Sequence, residues 1–192
     1  MGEEIEMASS PAMKISSGLR SFDRNHSLLV TLEAKSFQKI HSLLIREITK
    51  KDKKGIYVSF TKSHREVESL LTNLNVNMEK IMVVDAIGKS SEKVPGKGNC
   101  YCLASPESLT ELSIILSQLM KGSKYDYLLF DTLSAFLIYH DLETTERFVH
   151  YLMEKTTYFG MKGIFISLND TKSKELTQMV SHLFDAHLDL TK

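Results

Sequence analysis

The chain has no tryptophan, three prolines, two cysteines and nine glycines among 192 residues. Two cysteines are too few for a disulfide-built scaffold. Both lie in Cys100-Tyr101-Cys102, where on a strand we expect the thiols to face apart, unreactive and neither bridged nor holding a metal. Apolar runs stay short, residues 28–32 and 127–130 among them, far below the roughly 20 residues that cross a bilayer. The first residues, MGEEIEMASSPAMK, are acidic and lack a charged-then-apolar leader pattern. Gly2 is followed by Glu6 where a myristoylation signal needs Ser or Thr. The expected compartment is a reducing cytoplasm. Neither sign of charge is in excess, since 24 Lys and Arg balance 24 Asp and Glu. That balance removes the usual electrostatic basis for coating nucleic acid. Glycine is below the average of roughly 7%, and none occurs between Gly18 and Gly55.

What is present is an ordinary globular composition, 42% hydrophobic and 25% charged. Residues 1–25 show no sustained period and read as an N-terminal tail and lead-in, with a single α/β domain over 26–192. Residues 27–32 (SLLVTL) form a continuous apolar run suited to a buried strand. Phe37, Ile40, Leu44 and Ile48 mark an amphipathic helix over 35–50, stopped by a lysine-rich turn and Gly55. Strands follow at 56–60 (IYVSF) and 81–84 (IMVV), flanking a helix that Ser63 caps with Glu66 at capping-box spacing. Further strands are expected at 100–103, 125–130, 163–168 and 184–190. Helices are expected from Ser105, with Pro106 in its first position, and over 142–159 and 173–183. This alternation predicts an α/β fold, a doubly wound, mostly parallel sheet with helices on both faces.

Ligands of such sheets bind beyond the carboxyl ends of the strands. The residues found there are 33–36 (EAKS), 61–63 (TKS), Asp85, 131–134 (DTLS) and 169–170 (ND). Asp85 alone would suit a phosphoacceptor, but the paired acids such a site needs are missing. The seven histidines never fall at i, i+4, the spacing of a metal-binding helix face, and read as surface or partly satisfied side chains. Residues 86–105 make a long excursion carrying Lys89, Lys93 and Lys97. Those lysines, without interleaved aromatics, read as solvated.

The order of these segments resembles the RecA-like ATPases, and within them the KaiC-type proteins common in archaea. GIYVSF is similar to that family's second strand, YDYLLFDTLSAFL to its Walker B strand, and LFDAHLDL to a late strand. The resemblance covers residues 27–190 and implies a P-loop NTPase fold. It also implies nucleotide-binding roles for Lys35 and Ser36, in the place of the Lys-Ser pair of the phosphate loop, and for Asp131, in the place of the Walker B acid. The capping of a turn by Asp131 is the other reading.

The departures are two. The phosphate loop GxxxxGK[ST] surrounds phosphates with backbone N–H groups and needs close approach and positive φ. Here the stretch is Thr31-Leu32-Glu33-Ala34-Lys35-Ser36, short and without glycine. After the second strand, where the family carries acids, stand Thr61 and Lys62. The expected function is a pseudo-ATPase domain with no catalytic residues, metal or cofactor. It would work through protein–protein contacts or self-association in regulation or signalling, without a membrane. Two alternatives stay open: a nucleotide-binding ATPase or switch with a rearranged phosphate loop, and a recombination-mediator-like protein associated with DNA.

Overall fold

Five short apolar segments are buried on both sides and can only be strands in the middle of a covered sheet. In the computed structural model, which describes residues 11–22, 26–50, 53–88, 98–122 and 124–191, they are β1 (Ser27–Leu32), β2 (Gly55–Ser59), β3 (Ile81–Asp85), β5 (Tyr127–Asp131) and β6 (Lys162–Leu168). The edges are β4 (Cys100–Cys102) and β7 (Ala186–Leu190), both less buried. All pairings are parallel, in the order β4-β3-β2-β5-β6-β1-β7. The expected mostly parallel sheet is thus parallel throughout.

Parallel neighbours need crossovers. The described helices are α1 (Pro11–Phe22), α2 (Phe37–Thr49), α3 (His64–Asn73), α4 (Leu109–Lys121), α5 (Leu133–Phe136), α6 (Leu142–Tyr158) and α7 (Thr171–Val180). They lie between most successive strands, with α1 ahead of β1 and none between β3 and β4 among the described residues. Side chains alternate along each strand, so the sheet carries two cores. Leu28, Val30, Leu129 and Ile166 pack with Ile15, Leu44 and Leu71 of α1, α2 and α3. Leu29, Val58, Phe130 and Phe165 pack with Leu116, Phe136, Leu152 and Leu176 of α4 to α7. Helices therefore cover both faces. Gly55 opens β2 because a Cβ there would lie 2.2 Å from the Tyr127 ring.

The structure departs from the sequence reading in several places. Pro11 to Phe22, taken as lead-in, form α1. It fits because Gly18 lets Leu188 of β7 approach closely, and because Ile15 is fully buried. Ser63 and Glu66 do form the capping box of α3. Ser105 does not cap α4. It holds a turn through Glu107 N–H donating to its Oγ, and the helix starts at Leu109 after Ser108. Cys100 and Cys102 do not face apart: residues two apart on a strand share a face, and their sulfurs lie 3.6 Å from each other. Of the 86–105 excursion, residues 89–97 lie outside the described residues, and so do Lys89, Lys93 and Lys97.

Truncating Ile15 to Ala should cost about 2–5 kcal/mol, the range for emptying a buried aliphatic site. Urea unfolding measures it against Ile114→Ala on α4, where the side chain is 53% exposed and the change should stay within about 0.5 kcal/mol. Equal small effects would mean that α1 is not part of the folded unit.

Candidate functional site

The central strands β2 and β5 end side by side, in register with Ser59 opposite Asp131. Asp131 closes β5 with no solvent exposure. A lone carboxylate cannot stay ionised there without partners, and three donors converge on its Oδ2. His41 Nε2 lies at 2.9 Å, the Tyr57 hydroxyl at 2.6 Å and Thr61 Oγ1 at 3.1 Å. Because an ionised carboxylate only accepts, the proton sits on Nε2 of His41. The second oxygen, Oδ1, is buried without a hydrogen bond among the described residues.

Each donor is placed by its element. His41 lies one turn into α2, beside the inward residues Ile40, Leu44 and Ile45, and is 1% exposed. Tyr57 points from β2 to the same face of the sheet. Thr61 follows the end of β2, where Ser59 Oγ holds the turn by donating to the Lys62 carbonyl and accepting its N–H. Outside the carboxylate, the Phe37 ring lies 4.8 Å from the imidazole, and Lys62 Nζ lies 5.3 Å from the Phe37 ring. Aromatic side chains thus fill the space between α2 and the strand ends.

Burial pushes the Asp131 carboxyl up. The His41 charge, its hydrogen bond, the Tyr57 hydroxyl and Lys62 outweigh that and hold the carboxyl below its ordinary value. Burial, and then the Asp131 charge, push the Tyr57 hydroxyl well above its ordinary value, so it remains a donor.

Lys35 and Ser36 are placed elsewhere. Between β1 and α2 the chain makes a single tight turn, with Ala34–Ser36 as one turn of 3₁₀ helix. Ser36 N–H and Oγ both approach the Glu33 carbonyl, at 3.2 and 3.4 Å. The Glu33 carboxylate accepts from the Asn169 amide, which ties the turn to the end of β6. Lys35 is exposed. Among the described residues no hydrogen bond or ion pair joins Lys35 or Ser36 to Asp131. Asp131 does not cap the turn after β5 either: Thr132 does, accepting from Ala135 N–H. Ser134 then takes the Leu168 N–H and the Ser173 hydroxyl. Asp85 is buried and satisfied by the N–H groups of His64, Ile87 and Gly88.

Sequence reasoning found Asp131 but missed His41, Tyr57 and Thr61. One signal was available. His41 interrupts the apolar face of α2, where a buried polar residue demands a partner.

Taken together, the parallel order, the acid at the end of β5 and the helices on both faces define a RecA-like α/β domain. A solved KaiC-like protein from the hyperthermophilic archaeon Pyrococcus horikoshii OT3 superposes with a TM-score of 0.59. The match is 10% identical, covers 85% of this chain and 71% of that one, and shows the fold. No curated protein sequence matches. A family model matches residues 26–190, and the chain belongs to that family, DUF7504, a family of unknown function. No described helix is long and apolar enough to cross a membrane.

With the folded carboxyl held below its unfolded value of about 3.9, Asp131 adds stability above that pH. The contribution is lost as pH falls through the folded value. His41→Ala should therefore destabilise the chain by about 3–5 kcal/mol near neutrality, because it leaves a buried charge without its partner. Urea unfolding from neutrality into acid should show the gap to the native chain narrowing as the carboxyl protonates. A gap independent of pH would mean that the pair carries no charge.

Proposed function

We propose that this chain is a non-catalytic RecA/KaiC-like domain of the cytoplasm that works in regulation or signalling through contacts with other proteins or with its own copies. The observation that carries this reading is the state of Asp131. Its Oδ2, in the position of a Walker B acid, is occupied by His41, Tyr57 and Thr61 of the same chain. A metal–nucleotide complex needs that carboxylate at the wall of an open cradle. Two further features support the reading. The turn over residues 33–36 has no glycine, and its Glu33 would bring negative charge towards a phosphate. Thr61, where a catalytic acid would activate water, is a hydrogen-bond donor to Asp131 instead.

The implied fold family commonly assembles side by side around a nucleotide. A surface for protein contact is the part of such a domain that does not depend on the chemistry. The zero net charge agrees with partners other than nucleic acid.

Thermal shift with Mg-ATP is the test. A ligand at a hundred times its Kd adds about 2.7 kcal/mol of stability. No shift is expected at millimolar ATP, for the native chain or for Lys35→Ala. A clear shift in the native chain that is lost in Lys35→Ala and Ser36→Ala would overturn the reading in favour of a nucleotide switch with a rearranged loop. Tight DNA binding that weakens steeply with salt would favour the recombination-mediator reading. Sedimentation velocity over a range of concentrations, with and without ATP, should show any self-association to be independent of nucleotide.

A further inference from the structure

The geometry points to Cys100 and Cys102 as a thiol modification site at which a reversible intramolecular disulfide forms. Both cysteines are free and partly exposed. They sit on the same face of β4 with Sγ atoms 3.6 Å apart, in mutual hydrogen-bond contact. Among the described residues no cluster of three or more Cys, His, Asp or Glu could hold a metal. Among the described residues each thiol's nearest reactive partner is thus the other, which suits a two-electron oxidation.

Closing the bond means bringing the sulfurs to about 2.05 Å and the Cα atoms to about 5.5–6 Å. Two steps along a strand span about 6.6 Å. The bridge therefore needs a contraction of roughly 1 Å, which a central strand would resist. β4 is placed to yield. It has three residues and, among the described residues, stands at the edge of the sheet and pairs with β3 alone. Gly98, at φ +97° with open space around it, precedes it. A strained, exposed bridge has a more oxidising potential than a structural disulfide and reopens readily. That is the behaviour of a switch.

The oxidant is a small-molecule disulfide of the glutathione type. The Cys102 thiol loses its proton and attacks one sulfur of the disulfide. The glutathione S–S bond breaks, and one glutathione leaves as thiolate and takes up the proton. Cys100 then gives up its proton and attacks the Cys102 sulfur, breaking the mixed disulfide and releasing the second glutathione. Two protein thiols are oxidised, and one glutathione disulfide is reduced to two thiols. Burial, and then the hydrogen bond with Cys102, push the Cys100 thiol up; the exchange balances in the same way whichever of the two sulfurs attacks first. Contraction of β4 pulls on Leu103, a core residue whose N–H donates to the Asp85 carbonyl. The oxidation state is thereby felt at the end of β3.

The experiment equilibrates the folded chain in mixtures of reduced and oxidised glutathione. It then quenches with N-ethylmaleimide and measures intact mass. The expected product is lighter by two hydrogen atoms, takes no maleimide, and returns to a form with two maleimides when reduced glutathione is in excess. Cys100→Ser and Cys102→Ser should each stop at one glutathione adduct. The inference is overturned if the native chain accumulates glutathione adducts or stays fully labelled. It is equally overturned if the lighter species forms only in urea, because the folded geometry would then contribute nothing.

Discussion

A buried carboxylate whose charge is balanced inside the chain organises this molecule. Asp131 ends a strand at the centre of the sheet, and its ionised state depends on His41 from the helix after β1 and on Tyr57 and Thr61 from β2 and the turn after it. One oxygen thus ties three separate stretches of chain, and the sheet-to-helix geometry around it is fixed to hydrogen-bond tolerance. Remove the imidazole and the carboxylate has only hydroxyl donors in a dry site. Remove the carboxylate and an imidazole is left in an apolar core. Such a site is costly when a partner is removed, and here three donors serve Oδ2 while Oδ1 has no hydrogen bond among the described residues.

The same interaction separates fold from chemistry. RecA-like sheets bring the ends of their central strands together whatever stands there, and this chain keeps that architecture along with an acid after β5. The contacts around it are local. The turn before α2 is tied to Asn169, Phe37 and Lys62 stack outside the imidazole, and the serines after Asp131 tie β6 and α7 to β5. Polar groups at these strand ends meet one another.

Much of the architecture was legible in the sequence, and the reason is physical. A strand buried on both faces must be continuously apolar, so β1, β2, β3, β5 and β6 stand out in a chain that is a quarter charged. Amphipathic helices between them show their period for the same reason. α1 was illegible because its docking depends on a gap at Gly18 filled by Leu188, 170 positions along the chain. The start of α4 was misplaced because two serines three residues apart offer equivalent caps. The site was half legible. An acid after an apolar strand is a local signal, whereas the partnership with His41 spans 90 residues and leaves only a single polar interruption on a helix face.

The sheet order has a consequence for how the chain is made. β1 lies between β6 and β7, so the first of the described strands to leave the ribosome has both neighbours among the last two. Until nearly all of the chain has emerged, its apolar residues have no strand to pair with on either side. Contacts of such long sequence separation form slowly, and an unpaired apolar strand is the segment most exposed to wrong association meanwhile. Among the described strands, the one made first is therefore enclosed last.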